Sequence, residues 1–273
     1  MASKDPIAKT SRTKRSAAAA KSPLSMTEQR EKVLFMVARF GYVSTPQIAK
    51  RLFGGKTKNS QMADTLRKLF DAGYIERFSQ PSTSPEAKNM PLVSALTKKG
   101  AEFIAGSGGV DLSKLQIYSA SGQPKAQYFE HLMRINDVRV IFELACEQNH
   151  HEIKWLDEHT IRKYKIYGEV ELSSASGTRQ KTANIPDGFV SIKTQHGWFS
   201  FFLEIDTGTE KIAIIQKKAE VYLAYEQTSH YAEHYGATTK SGRTAPLFVL
   251  LITSGMKRRD NILTGVWRKG VKS

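Results

Sequence analysis

The chain has 273 residues, of which 40% are hydrophobic and 10% aromatic, enough for two globular domains. No apolar run reaches the roughly 18 residues of a membrane-spanning helix, and one cysteine, Cys146, excludes an internal disulfide and a cysteine-rich zinc finger. The formal net charge of +15 indicates a polyanionic partner. Nucleic acid is the first candidate, although charge alone does not separate DNA from RNA or from an anionic membrane.

The excess positive charge is concentrated before residue 106. Residues 1–25 carry 6 basic and 1 acidic side chains, and residues 26–105 carry 13 and 7. Since residues 1–25 have almost nothing to bury, we predict a disordered basic arm there. This arm lacks the apolar core of roughly 7–15 residues that a signal peptide needs, which favours a cytoplasmic protein.

Residues 26–105 are predicted to form a winged helix-turn-helix domain. Apolar residues at helical spacing predict three successive helices, which end at Gly41, Gly54 and Gly73. Ser44, followed by Pro46, has the pattern of an N-cap for the second helix. The segments IERFSQ and LVSALT then predict two strands joined by a long loop, which completes the wing.

A third helix held over two others can present its polar face to the major groove of double-stranded DNA, while basic loop residues contact phosphates. The alternative is a protein-docking module, which winged helices also form. The candidate DNA-binding residues on the third helix and the wing are Lys56, Lys58, Asn59, Ser60, Gln61, Arg67, Lys68, Arg77 and Lys88.

A second domain is predicted over residues 126–273, after a glycine- and serine-rich linker at 106–125. It begins with a long helix and a short strand, EIKWL, followed by a polar stretch. Two strands hinged at His196-Gly197, a long helix, the strand PLFVLLIT and a closing helix complete it. This αβββαβα order predicts a mixed α+β fold with one sheet covered on both faces.

Two acidic residues share one face of the otherwise apolar strand GWFSFFLEID. Period-two alternation places Glu204 and Asp206 together, and Asp187, on the preceding strand of the hairpin, is a third oxygen donor. A buried charge needs compensation, and a hard divalent cation such as Mg²⁺ or Mn²⁺ is one source of it. The alternative is that Asp187 is a turn residue in Pro-Asp-Gly and that Glu204 and Asp206 form ordinary salt bridges.

These residues resemble two related groups of proteins. Pro186-Asp187 followed by Glu204-Ile205-Asp206, in αβββαβ order, is similar to the PD-(D/E)XK restriction-endonuclease-like superfamily. The predicted winged helix resembles more narrowly the replication-relaxation proteins of plasmids and mobile elements, and the MOBC-type relaxases. The other segments that carry this likeness are His131, Asn136-Asp137, Trp155-Leu156, Pro186-Asp187-Gly188 and Phe202-Leu203-Glu204-Ile205-Asp206-Thr207-Gly208-Thr209-Glu210.

The resemblance implies sequence-directed binding at an origin of transfer or replication, with DNA nicking by this chain or by a partner enzyme. Asp187 and Glu204 would be metal ligands. Asp206 stands where the superfamily has its lysine, so Lys193 or Lys211 would supply a migrated lysine, or the domain is non-cleaving.

Three functions therefore stay open. They are a metal-dependent nickase or relaxase, a non-catalytic accessory protein working with relaxosome or replication proteins, and a transcriptional repressor with a ligand-sensing second domain. Tyr222 and Tyr225, on the helix after the acids, are candidate nucleophiles for a covalent DNA intermediate, with roles in the core as the alternative.

Overall fold

The computed structural model describes residues 24–80, 90–118, 125–173, 179–228, 230–235 and 246–267. It confirms the mixed α+β class, and the chain divides into two compact units, Met1–Leu144 and Ala145–Ser273. No helix within those described ranges is long and apolar enough to cross a membrane. The predicted basic arm lies outside the described residues, except for its last two positions.

The first unit contains helices α1 to α4, most of α5 and three short strands. Their bounds are α1 Glu28–Phe40, β1 Tyr42–Ser44, α2 Thr45–Leu52, α3 Ser60–Asp71, β2 Ile75–Ser79, β3 Leu92–Leu96, α4 Lys98–Gly108, a 3₁₀ turn at Leu112–Lys114, and α5 Ala126–Gln148. The strands form one antiparallel sheet in the order β1-β3-β2.

Side-chain caps fix where the first helices begin. Thr27 and Asn59 cap α1 and α3 by accepting backbone N–H bonds, and Ser44 forms a reciprocal capping box with Gln47 at the start of α2. Gly41 ends α1 with φ at 72°, a conformation that favours glycine. The predicted ends of these helices follow from this local chemistry, whereas the three-residue strand β1 was not predicted.

Helix α5, predicted as the first element of the second domain, is joined to the first unit by polar contacts. The buried Asn136 donates through Nδ2 to the Tyr42 carbonyl at 2.6 Å. Gln47 donates through Nε2 to Asp137 Oδ1 at 2.8 Å and to the Met133 carbonyl at 2.9 Å. The units consequently divide at 144/145, within α5, and not at residue 126.

Part of the predicted linker also packs against the first unit. Tyr118 donates its backbone N–H to the Leu96 carbonyl at 2.7 Å, and its ring lies 5.2 Å from that of Phe78. Leu115 and Val110 pack against a second hydrophobic cluster of this unit, formed mainly by its helices. Apolar residues scattered among glycines and serines therefore order a segment whose composition alone predicts a flexible connector.

The second unit is built around a four-stranded sheet in the order β4-β7-β8-β9. Strands β4, β7 and β8 are antiparallel neighbours, and β8 and β9 are parallel. The elements are β4 Glu152–Asp157, α6 Glu158–Lys163, β5 Glu169–Ser173, β6 Arg179–Ala183, β7 Gly188–Thr194, β8 Gly197–Asp206, α7 Ile212–Glu226, α8 His230–Tyr235, β9 Val249–Thr253 and α9 Met256–Trp267.

The main strands and long helices of this unit are those predicted, with additions in the polar stretch. That stretch contains α6 and the separate antiparallel hairpin β5–β6. The strands of this hairpin were not predicted because their sequence is largely exposed and charged. Asp187 lies immediately before β7, not within it.

Aromatic packing places α7 over β8. The ring of Phe202 on β8 lies 5.2 Å from Phe189, 5.6 Å from Tyr222, 6.2 Å from Tyr225 and 4.9 Å from Tyr235. Edge-on and tilted aromatic contacts of this kind stabilise a fold by more than the burial of their apolar area alone provides. Because Phe202 and Glu204 share a strand face, the same packing holds α7 next to the Glu204 carboxyl group.

Candidate functional site

Two carboxyl groups are buried near the end of the central strand β8. Glu204 is 5% exposed and Asp206 is 4% exposed. An ionised carboxylate in such surroundings is unstable unless cations or hydrogen-bond donors compensate it. The fold supplies separate partners to each carboxylate.

Glu204 is held by two side chains of α7. Lys218 Nζ lies 3.0 Å from Glu204 Oε2, and the Tyr222 hydroxyl donates to Glu204 Oε1 at 2.5 Å. Lys218 and Tyr222 are four residues apart, so they project from one side of the helix. Lys218 Nζ also lies 3.4 Å from Glu210 Oε1, in the loop before α7.

Asp187 is fixed against β8 by the backbone. Its Oδ2 accepts from the Ile205 N–H at 2.7 Å, and its own N–H donates to the Leu203 carbonyl at 3.1 Å. These bonds hold the Pro-Asp-Gly segment beside Glu204, and the electrostatic effect of Asp187 on Glu204 and Lys218 reflects this proximity.

The pKa values follow from this mixture of burial and charge. Burial, followed by the charge of Asp187, raises the pKa of Glu204 to about 7, although Lys218 and Tyr222 oppose the shift. Burial by itself would lower the pKa of Lys218, but Glu204, Asp187 and Glu210 together raise it above its ordinary value. Lys218 is therefore a permanent cation beside a carboxyl group that titrates near neutral pH.

Asp206 belongs to a different network. Burial favours its neutral form, but donors outweigh this effect and lower its pKa to about 2. Arg258 of α9 donates to Oδ2 at 2.8 Å and to Oδ1 at 3.1 Å; Thr253 Oγ1 donates to Oδ2 at 2.6 Å, and the Gly208 N–H to Oδ1 at 3.0 Å. Arg258 also donates to the Glu210 carbonyl, which closes the loop between β8 and α7.

The predicted set of three metal ligands is thus not brought together as one cluster. Within the described ranges no group of three or more His, Cys, Asp or Glu side chains could hold a metal ion. Both oxygens of Asp206 accept bonds from protein donors, whereas Asp187 and Glu204 lie close enough to interact strongly. The donor chemistry that suits a hard cation is therefore this pair of carboxyl groups.

Neither lysine proposed as a migrated lysine contacts this pair. Lys193 is near the far end of β7, about 16 Å along the strand from Gly188, and its Nζ lies 4.0 Å from Glu152 Oε2. Lys211 is the exposed N-cap residue of α7. Lys218 is the lysine that reaches Glu204, and its spacing of four residues from Tyr222 is the signal in the sequence that could have identified it.

The two candidate nucleophilic tyrosines have structural roles. Tyr222 is 6% exposed and donates to Glu204, and its pKa is well above normal because of burial and then the Glu204 charge. Tyr225 is 0% exposed, and burial raises its pKa to about 12. A phenol that stays protonated and buried is a poor nucleophile.

The predicted DNA-binding residues differ in their exposure and contacts. Lys56 and Lys58, before α3, and Ser60 and Gln61, at its start, are exposed. Asn59 instead caps α3, and Arg67 and Lys68 each form an ion pair with Asp64 at 2.7 Å. Arg77 is partly buried and donates to Thr45 Oγ1 at 3.3 Å, while Lys88 lies outside the described residues.

A family model described as replication-relaxation matches residues 34–240, which is more than half of the chain. The matched region begins within α1, continues through α8, and contains the pair formed by Asp187 and Glu204. Neither the search among curated proteins nor the search among solved structures found a match.

The two buried carboxyl groups should give opposite pH dependence of stability. The folded-state pKa of Glu204, about 7, exceeds its ordinary value of 4.5, so its contribution is present below 4.5 and is lost as pH rises through 7. Asp206 has a folded-state pKa of about 2 against 3.8, so its contribution is lost as pH falls from about 4 to 2. Urea unfolding across this pH range should show Glu204→Gln removing the first change and Asp206→Asn the second. If the free energy of unfolding of each variant changes with pH in the same way as that of the parent, these assignments are wrong.

Loss of Arg258 should destabilise the second unit because Asp206 would keep a buried charge without its cation. We expect Arg258→Ala to lower the free energy of unfolding by about 2–3 kcal/mol, less than for a fully buried pair because Arg258 reaches solvent. The neighbouring Arg259, paired with Asp260 at the surface, is the matched control, and Arg259→Ala should change stability by less than about 0.5 kcal/mol. Equal effects of the two substitutions in denaturant unfolding would be evidence against a structural role of the Asp206–Arg258 pair.

Proposed function

This chain belongs to the replication-relaxation family, and we propose that it binds double-stranded DNA at an origin of a plasmid or mobile element and nicks it with Mg²⁺ or Mn²⁺. The observation that carries the proposal is the buried Glu204–Lys218 pair beside Asp187. A cytoplasmic location and contacts with relaxosome or replication proteins belong to the same proposal.

The arrangement of the second unit supports a PD-(D/E)XK-like site with its lysine moved to a helix. Strand lysines in that superfamily follow the acidic residue by two positions, where this chain has Asp206. Lys218 of α7 reaches the same carboxylate from outside the strand. In this proposal Asp187 and Glu204 would hold the cation, which would stabilise the charge on the phosphate and lower the pKa of a bound water.

Other residues around Glu204 would stabilise charge on the phosphate and position the site. Lys218 stays protonated and can stabilise negative charge that develops on a phosphoryl oxygen. Tyr222 orients Glu204, and the Asp206–Arg258 network positions the loop that carries Glu210. Since Glu204 must be ionised to bind a cation, its pKa of about 7 implies that activity increases as pH rises through neutrality.

The first unit supports the DNA-binding half of the proposal. The order α1, β1, α2, α3, β2, β3 with an antiparallel sheet supports the proposed winged helix-turn-helix, and exposed polar and basic residues precede and begin α3. The exposed Gln61 is the candidate base reader, while Lys56 and Lys58 would contact phosphates.

DNA binding can be tested by fluorescence anisotropy with origin fragments at several salt concentrations. Lys58→Ala should weaken binding to all duplexes and reduce the slope of log K against log salt by about 1, because one phosphate contact is lost. Lys32, an exposed lysine on α1 paired with Glu28, is the control, and Lys32→Ala should leave both quantities unchanged. Binding that does not depend on salt would instead favour a protein-docking role for this unit.

Nicking can be tested with supercoiled plasmid in the presence of Mg²⁺, Mn²⁺ or a chelator. We expect Glu204→Gln and Lys218→Gln each to lower the rate at least about a hundredfold, because charge stabilisation at the phosphate is lost. Lys217→Gln changes the neighbouring exposed lysine and should remain within about twofold of the parent. The melting temperature of the parent, but not of Glu204→Gln, should rise when the divalent cation is added.

The second candidate function is a non-catalytic accessory protein at the origin. It is favoured by the fact that both oxygens of Glu204 already have protein partners, Lys218 and Tyr222. If the parent binds origin DNA but leaves supercoiled plasmid intact with either cation, this function replaces the nickase.

A further inference from the structure

We propose that the open end of the sheet face carrying Glu204 binds single-stranded DNA, with a base stacked on Trp198 and phosphates held by Lys154 and Lys193. The inference rests on the proposed function, which makes DNA the partner, and it adds that the bound DNA is single-stranded. Its basis is an exposed aromatic ring flanked by two lysines on three adjacent strands.

Strand register places these residues on one face. Lys193 on β7 is paired with Trp198 on β8 and with Glu152 on β4, and the next row on this face contains Lys154, Ser191 and Ser200. The two serine hydroxyls are hydrogen bonded at 2.7 Å. The surface is therefore polar and basic around one large aromatic side chain.

The contacts of the indole ring define the site. Trp198 is 46% exposed, Lys154 Nζ lies 4.3 Å from its ring centroid, and Lys193 Nζ lies 5.9 Å from it. Glu152 lies 4.0 Å from Lys193, but both side chains are more than half exposed, so this ion pair is weak. Two ammonium groups over a half-exposed indole ring provide the charge and the aromatic surface that a nucleotide requires.

These features favour a single strand over a duplex or an apolar partner. A base can stack on an indole only if it is unpaired or displaced from its helix, and such stacking tolerates any base. An apolar protein surface would bring no anion to either lysine and would cover the exposed Lys193–Glu152 ion pair. The aromatic pair Phe199 and Phe248, 5.3 Å apart and also exposed, lies on the opposite sheet face and provides an internal comparison.

The position of Trp198 relates this surface to the proposed nicking site. Trp198 and Glu204 are six positions apart on one face of β8, which corresponds to about 20 Å along the strand. Roughly six stacked nucleotides, at about 3.4 Å each, span that distance. A strand opened next to the cleavage position would therefore extend to the indole ring.

The test measures binding of a fluorescein-labelled oligothymidylate to the full chain by anisotropy, with a chelator present so that no cleavage occurs. Trp198→Ala should weaken binding at least about fivefold, whereas Trp198→Phe should retain most of the affinity because it can still stack. Phe199→Ala should match the parent. Replacing both Lys154 and Lys193 by Gln should lower the slope of log K against log salt by about 1.4.

Several outcomes would overturn the proposal. They are an unchanged affinity of Trp198→Ala, equal losses in Trp198→Ala and Phe199→Ala, an equal loss of duplex affinity, or tighter binding of an oligouridylate RNA than of the DNA. Circular dichroism of each variant establishes that it is folded. If Trp198→Ala loses oligothymidylate binding while Glu204→Gln still nicks plasmid, only the nickase fails; the reverse pattern removes only the stacking site.

Discussion

Two carboxyl groups buried on one central strand determine how the second unit is assembled. Glu204 and Asp206 are each about 5% exposed or less, and neither could remain ionised there without a cation or strong donors. The first is compensated from α7 by Lys218 and Tyr222, and the second from β9 and α9 by Thr253 and Arg258. The strand, the helix after it and the closing helix are thus connected by charge as well as by the aromatic cluster around Phe202.

The fold was predictable where the chemistry is local. Helices α1, α2 and α3 could be placed from Thr27, Ser44, Asn59 and the glycines after them, because caps and breakers act within a few residues. The division within α5 could not be placed in this way. It depends on bonds from Asn136 and Gln47 to residues about ninety positions away, and no local pattern specifies such partners.

The candidate site was predictable in part for the same reason. Alternation along β8 correctly puts Glu204 and Asp206 on one face, and the residue before β7, Asp187, lies beside Glu204. Which cation faces which carboxylate depends on how α7 and α9 pack. The interpretation of Asp206 as a third metal ligand and of Lys193 or Lys211 as the migrated lysine therefore missed Arg258 and Lys218. For Asp206, the alternative of an ordinary salt bridge describes its contacts better.

The helix-borne lysine has a consequence for how such chains are recognised. Lys218 lies fourteen positions after its carboxylate, so a pattern that requires a lysine two positions after the acid passes over this arrangement. A descriptor that spans strand and helix, from Glu204 through Asp206 and Glu210 to Lys218 and Tyr222, records the physical unit. In a chain with lysine at the position of Asp206, the guanidinium of Arg258 would lose the carboxylate it binds. Residues 206 and 258 should therefore change together during divergence.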